Sequence, residues 1–230
     1  MTDQSELRLR MLQAAEKQLA ASPGHDISTR AVCEAVGVGQ PVLYRLFGDK
    51  AGLLSALVDH GFDRYIQRKK ALEVTGNPLD DLRAGWDDHI AFALERPAIY
   101  RLMFSPTLAQ QPTAPRTVFE MLTRTLERCA QAGALRIPPE LAAQQILSAN
   151  IGVALGLLVR PDIYTDPGLS AKVRDAVFAA CIGTPAPDPG GESSGRTAIQ
   201  LAAQLRRAPV PSLGDEEQRL LLKWLDSLGD

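Results

Sequence analysis

Two short helical patterns wrapped around one glycine constrain this chain more than anything else in its sequence. Between Ser28 and Lys50 the residues read as helix, tight turn, helix, closing on an aromatic and basic cluster. The first pattern opens on Ser28 and Thr29, hydroxyls able to cap free backbone amides, and keeps Ile27, Ala31, Val32 and Ala35 for packing. Gly37 ends it, because glycine enters a left-handed turn without steric cost. In the second pattern Pro41 suits a first helical turn, where its missing N–H is not needed. Leu43, Leu46 and Phe47 fall on one face at i, i+3, i+4. Pro41 and Arg45 point away from that face, and Val42 and Tyr44 flank it. A helix docked on one side and free on the other has the geometry of one that enters a DNA major groove.

The flanking sequence supplies a frame for this pair. Residues 5–21 carry Leu9, Leu12, Ala15 and Leu19 as an apolar stripe, stopped by Ser22-Pro23-Gly24. Asp49 is a good cap for a fourth helix running through Leu53, Leu54, Leu57, Val58, Phe62 and Ile66. Its free amides beside Lys50 form a natural phosphate seat. After Gly76-Asn77-Pro78 helical patterns follow at 79–94, 97–104, 116–132, 139–159 and 170–181, without strand alternation. The expected fold is all-α. A three-helix helix-turn-helix domain at 1–66 is joined by the fourth helix to an α-helical effector and dimerisation domain at 67–183. Residues 184–196 read as linker, and 197–230 as an extension with two amphipathic patterns, 197–207 and 215–228. In the second of these Leu220, Leu221, Trp224, Leu225 and Leu228 share one side, which wants a partner surface.

Net charge is −2, an odd value for a protein that grips a polyanion, but it is unevenly spread. Residues 1–70 hold ten basic and eight acidic side chains, +2; the rest hold 25 − 10 = 15 and 27 − 8 = 19, −4. That split fits a first part that meets phosphates. The apolar run 146–159 contains Ser148 and Asn150 and falls short of the ~20 residues a bilayer requires, so no membrane segment is expected. The N-terminus lacks a secretory pattern. Cys33, Cys129 and Cys181 are odd in number and lie far apart in helical contexts, which implies reduced, buried thiols and a cytoplasmic protein.

Gly37-Val38, Leu43-Tyr44, Phe47 and Lys50-x-x-Leu53 stand in the order and spacing of the tetracycline-repressor (TetR) family, which the chain resembles over about residues 5–66. Leu46 stands where that family often has a histidine, and Gly39 where it often has a serine. The resemblance implies that Arg30, Gln40, Pro41 and Val42 face base edges. It implies that Thr29, Tyr44 and Lys50 hold phosphates and that Arg45 does either; Arg8 and Arg10 would reach a backbone or minor groove. Glutamine can pair with adenine and arginine with guanine, and apolar groups can meet a thymine methyl.

One head covers only a few base pairs, so the expected partner is a palindromic stretch of double-stranded DNA bound by a homodimer. The dimer seam is assigned to 139–159, where Ala149, Gly152, Val153 and Gly156 allow close helix approach, together with 170–181. An unidentified small-molecule effector is expected at Trp86, His89, Phe92, Tyr100, Met103 and Phe104, which gather much of the sparse aromatic content. His25, His60 and His89 show no metal-ligand spacing, and no nucleophile elbow or phosphate-cradling loop occurs, so neither catalytic residues, a metal nor a cofactor is expected. The function implied is a ligand-responsive transcriptional regulator, more readily a repressor than an activator. The alternative is an all-α interaction module whose head no longer binds DNA.

Overall fold

In a computed structural model, residues 3–22, 26–104, 114–183, 192–208, 210 and 212–229 are described, and among them the regular structure is helical throughout. The helices are α1 (Asp3–Ala21), α2 (Thr29–Val36), α3 (Gln40–Phe47), α4 (Lys50–Lys70), α5 (Pro78–Glu95), α6 (Pro97–Met103), α7 (Ala114–Gln131), α8 (Pro139–Val159), α9 (Leu169–Cys181), α10 (Glu192–Arg207) and α11 (Asp215–Gly229). They fall into two compact units. The first holds Met1–Ala71 with Ala91–Thr117, the second Leu72–Ile90 with Val118–Asp230.

In the first unit the stripe of α1, Met11, Leu12, Ala15 and Leu19, is buried. α1 packs against α2 and α4, and α3 against the same two helices; Val32 and Cys33 of α2, Leu43 of α3, and Leu53, Leu57 and Phe62 of α4 are all buried as well. α6 lies close on α4 because Gly61 has no side chain: a Cβ there would stand 2.9 Å from Ile99 Cγ1 and 2.9 Å from Met103 Sδ. Ion pairs reinforce the corner. Glu16 of α1 receives Arg64 of α4 at 3.3 Å and Arg96, the N-cap of α6, at 2.6 Å. Arg68 and Glu95 form a two-pronged pair at 2.5 and 3.3 Å.

In the second unit the α8 helix runs from Pro139, placed where proline is tolerated, to Val159. It is longer than the apolar run expected from sequence: an 18-residue window has mean hydropathy 1.5, enough to cross a bilayer by length and composition. Within the fold it is a packing helix, with Ala142, Ala143, Ile146, Asn150, Val153, Ala154 and Leu158 buried. Asp81 accepts from Arg128 of α7 at 2.5 Å and from Thr75 Oγ1 at 2.6 Å, fastening α7 to the start of α5. Burial lifts the thiols of Cys33 and Cys181, and pushes that of Cys129 up to about 11, so all three are held protonated.

The linker reading at 184–196 lies partly outside the described residues, and its last part is helical, since α10 begins at Glu192 rather than at 197. α10 and α11 pack through Ala198, Ala202, Leu205 and Leu225, with Val210, Leu221 and Leu222 against them. Leu220, Trp224 and Leu228 remain exposed.

Candidate nucleic-acid interface

The reading head is assembled by local chemistry. Ser28 Oγ accepts from the Ala31 amide at 3.3 Å and caps α2. Gly37 takes φ 74°, and its N–H closes the helix on the Cys33 and Glu34 carbonyls. α3 is preceded by Gly39 at the cap position, which offers no capping side chain, and has Pro41 in its first turn. Leu43 is fully buried and anchors this helix, while Leu46 and Phe47 are half-buried. Opposite them Gln40, Pro41, Tyr44 and Arg45 are exposed and Val42 is half-buried. On α2, Arg30 is exposed and Thr29 half-buried.

Several cations of this head already have partners. Arg30 Nε donates to Glu34 Oε1 at 2.8 Å, one turn along α2, and this carboxylate raises the arginine's affinity for its proton. Lys50 Nζ lies 2.6 Å from Asp26 Oδ1, an atom that also accepts from the Ile27 amide at 2.8 Å. The lysine, with help from that amide, holds the Asp26 carboxyl below its ordinary range. At the phosphate seat expected from sequence, Asp49 Oδ1 occupies the Gly52 amide at 2.7 Å. Arg8 and Arg10 stay exposed but are also engaged. Arg8 stacks over the Phe47 ring at 5.1 Å, and Arg10 Nη2 donates to the Val36 carbonyl at 3.2 Å. Both brace the turn-bearing helices. Asp26 was not among the residues the sequence pointed to, since nothing in its spacing ties it to Lys50.

The six residues assigned to an effector divide between the units. Trp86 and His89 are buried in the second. There the Trp86 ring meets Phe178 edge-on at 6.1 Å, and its Nε1 donates to Ser170 Oγ at 2.9 Å. Asn150, which the sequence did not single out for a ligand, donates from Nδ2 to the Trp86 carbonyl at 3.5 Å, and its buried Oδ1 accepts no hydrogen bond. Phe92, Tyr100 and Met103 are buried in the first unit, with Phe104 half-buried. They pack with α4: Phe92 against Tyr65 at 5.1 Å, and Phe104 against Phe62 at 5.9 Å and Tyr100 at 4.7 Å. None of the six lines the depression of about 280 Å³ between α1 and α4, formed by Ser5, Arg8, Leu9, Leu12, Ala56, Asp59, His60 and Asp63. His25 lies outside the described residues, and no described group of His, Cys, Asp and Glu is placed to hold a metal.

The four small seam residues of α8 differ from one another. Val153 is buried inside its own unit and Ala149 half-buried. Gly156 is covered by Tyr164, whose ring carbons would stand 3.1 Å from an added Cβ. Gly152 is exposed, with nothing within 4 Å of such a Cβ.

A capped helix, a left-handed glycine turn and a second helix docked by one leucine with its polar face bare define a helix-turn-helix DNA-binding protein. Residues 11–57 match the profile of the bacterial regulatory proteins of the tetR family. A nucleoid occlusion factor, SlmA, of Alteromonas mediterranea is 26% identical over 172 residues, 73% of this chain and 84% of that protein. Solved structures share the fold. A TetR-family transcription regulator from Shewanella sp. PV-4 aligns with TM-score 0.61 and 18% identity, over 77% of this chain and 99% of its own. SmeT, the repressor of the Stenotrophomonas maltophilia multidrug efflux pump SmeDEF, aligns with TM-score 0.59 and 21% identity, over 80% and 94% respectively.

Proposed function

We propose that this regulator is a cytoplasmic repressor that binds a palindromic operator as a homodimer and is released from it by a small molecule. The observation that carries the reading is the bare face of α3, where Gln40, Pro41, Tyr44 and Arg45 stand clear of the body. Gln40, Pro41 and Val42, with Arg30 from α2, are suited to base edges. Thr29, Tyr44 and Lys50 are suited to phosphates, and Arg45 reaches either.

Dimerisation is supported by α8, which exposes Leu141, Gly152 and Val159 and has only 39% of its most apolar window buried in one chain. Gly152 is the open point of that seam, and Ala149, Val153 and Gly156 shape the helix around it. For the effector, Trp86 and His89 with the unmatched Asn150 Oδ1 offer an apolar wall and a buried acceptor that a hydrogen-bond donor on a ligand would satisfy. Phe92, Tyr100, Met103 and Phe104 are candidates in the first unit. A ligand acts here only by favouring the dimer form whose heads are wrongly spaced.

The test is selection of bound sequences from a random duplex pool by the full chain at stated salt. A recovered palindrome is expected. Absence of enrichment at low salt from folded, dimeric protein would overturn the DNA-reading function.

A further inference from the structure

The free head holds its own carboxylates against the groups that phosphates would use. Lys50 is the first residue of α4, at the positive end of that helix, and follows α3 after only Gly48 and Asp49. A DNA strand lying along the bare face of α3 therefore passes close to it. Lys50 is not idle there: Asp26 Oδ1 is 2.6 Å from its ammonium. Both side chains are largely exposed, 44% and 70%, so the pair is not trapped by burial and exchanges freely. Asp26 is held in place by the backbone, because the same oxygen accepts from the Ile27 amide one residue ahead of the α2 cap.

We propose that Asp26 is a built-in competitor for the DNA backbone, an internal stand-in for phosphate that Lys50 must release before it can hold DNA. This deepens the DNA-reading function and rests on it. A phosphate contact to Lys50 is an exchange of one anion for another, so its gain is reduced by the pair it breaks, and the freed Asp26 carboxylate is left facing the polyanion. Asp26 thus lowers affinity on every sequence alike, since phosphates carry no base information. It sets how readily the protein leaves DNA and does not set which site it prefers.

Asp26→Asn keeps the oxygen that accepts from Ile27 and removes only the charge. The experiment titrates a labelled random-sequence duplex at low salt with the full chain as wild type, Asp26→Asn, Lys50→Gln and the double variant, each first shown to melt as wild type does. Asp26→Asn is expected to tighten binding about two- to fivefold, the range of an exposed ion pair, and to lose most of that gain when Lys50 is already Gln. Equal tightening in both backgrounds would mean a general effect of net charge and would overturn the proposal, as would no tightening at all. If wild type and variants alike fail to bind any duplex, the DNA-reading function itself falls and the competitor role with it.

Discussion

α3 and α8 both leave much of their surface uncovered in a single chain, and they do so in opposite ways. α3 buries Leu43 and shows solvent Gln40, Tyr44 and Arg45. α8 buries Ala142, Ile146 and Val153 and still shows Leu141 and Val159, with Gly152 between them. The bare side of α3 has donors for a hydrated polyanion. The bare side of α8 carries no cation to hold a phosphate: Leu141, Gly152 and Val159 stand there among Glu140, Gln144, Gln145 and Ser148, a mixed surface of the kind that meets another protein face. The two helices show that exposure alone says little about a partner; the chemistry of what is exposed decides the class.

The largest effect that would break this contrast is at the anchor of α3. Leu43→Ala removes a fully buried side chain and is expected to cost about 2–5 kcal/mol, lowering the melting temperature and abolishing duplex binding together. If binding survived with the head destabilised, α3 would not be the reading element. Next in size is Gly152→Arg, at a position where an added Cβ meets nothing within 4 Å in one chain. It is expected to stay folded and to change the mass in light scattering from twice 24.9 kDa to 24.9 kDa; an unchanged dimer would move the seam off α8.

Substitutions on the bare face of α3 sharpen the comparison. Gln40→Ala is expected to lose about 1–3 kcal/mol on the selected operator and little on random duplex, whereas Tyr44→Ala weakens both alike. Equal losses for Gln40→Ala on the two duplexes would reassign it to the backbone. The smallest change is Gly39→Ser. The position has φ −82° and ψ 156°, which serine accepts, and an added Cβ makes only an ordinary contact at 3.5 Å with Pro41. Supplying the missing cap is expected to raise stability by about a few tenths of a kcal/mol, seen as a small rise in melting temperature.

Much of the fold was legible because its boundaries carry chemistry that acts within a few residues. Ser28, Gly37, Asp49 and Pro139 mark helix ends in the sequence and in the structure alike. α10 is the exception. Glu192-Ser-Ser-Gly195-Arg196 has the composition of a linker, yet it is helical, and Gly195 sits where an added Cβ would be 3.0 Å from the Leu228 carbonyl of α11. Packing against a distant segment overrides weak local propensity there. The same limit governs the site. The exposed row on α3 follows from helical periodicity, but the pairing of Lys50 with Asp26, the turn of Arg10 onto Val36 and the stacking of Arg8 on Phe47 join residues far apart in sequence. The open acceptor on Asn150 is likewise invisible until the fold removes its other partners.

Glu16 has a consequence of another kind. One carboxylate serves two guanidinium groups, Arg64 and Arg96, carried by different helices. The arrangement is lopsided. Delete either arginine and the acid keeps a companion; delete the acid and two like charges are left in each other's field at the corner where α1, α4 and α6 meet. The single anion is thus the shared tie of those two guanidinium groups.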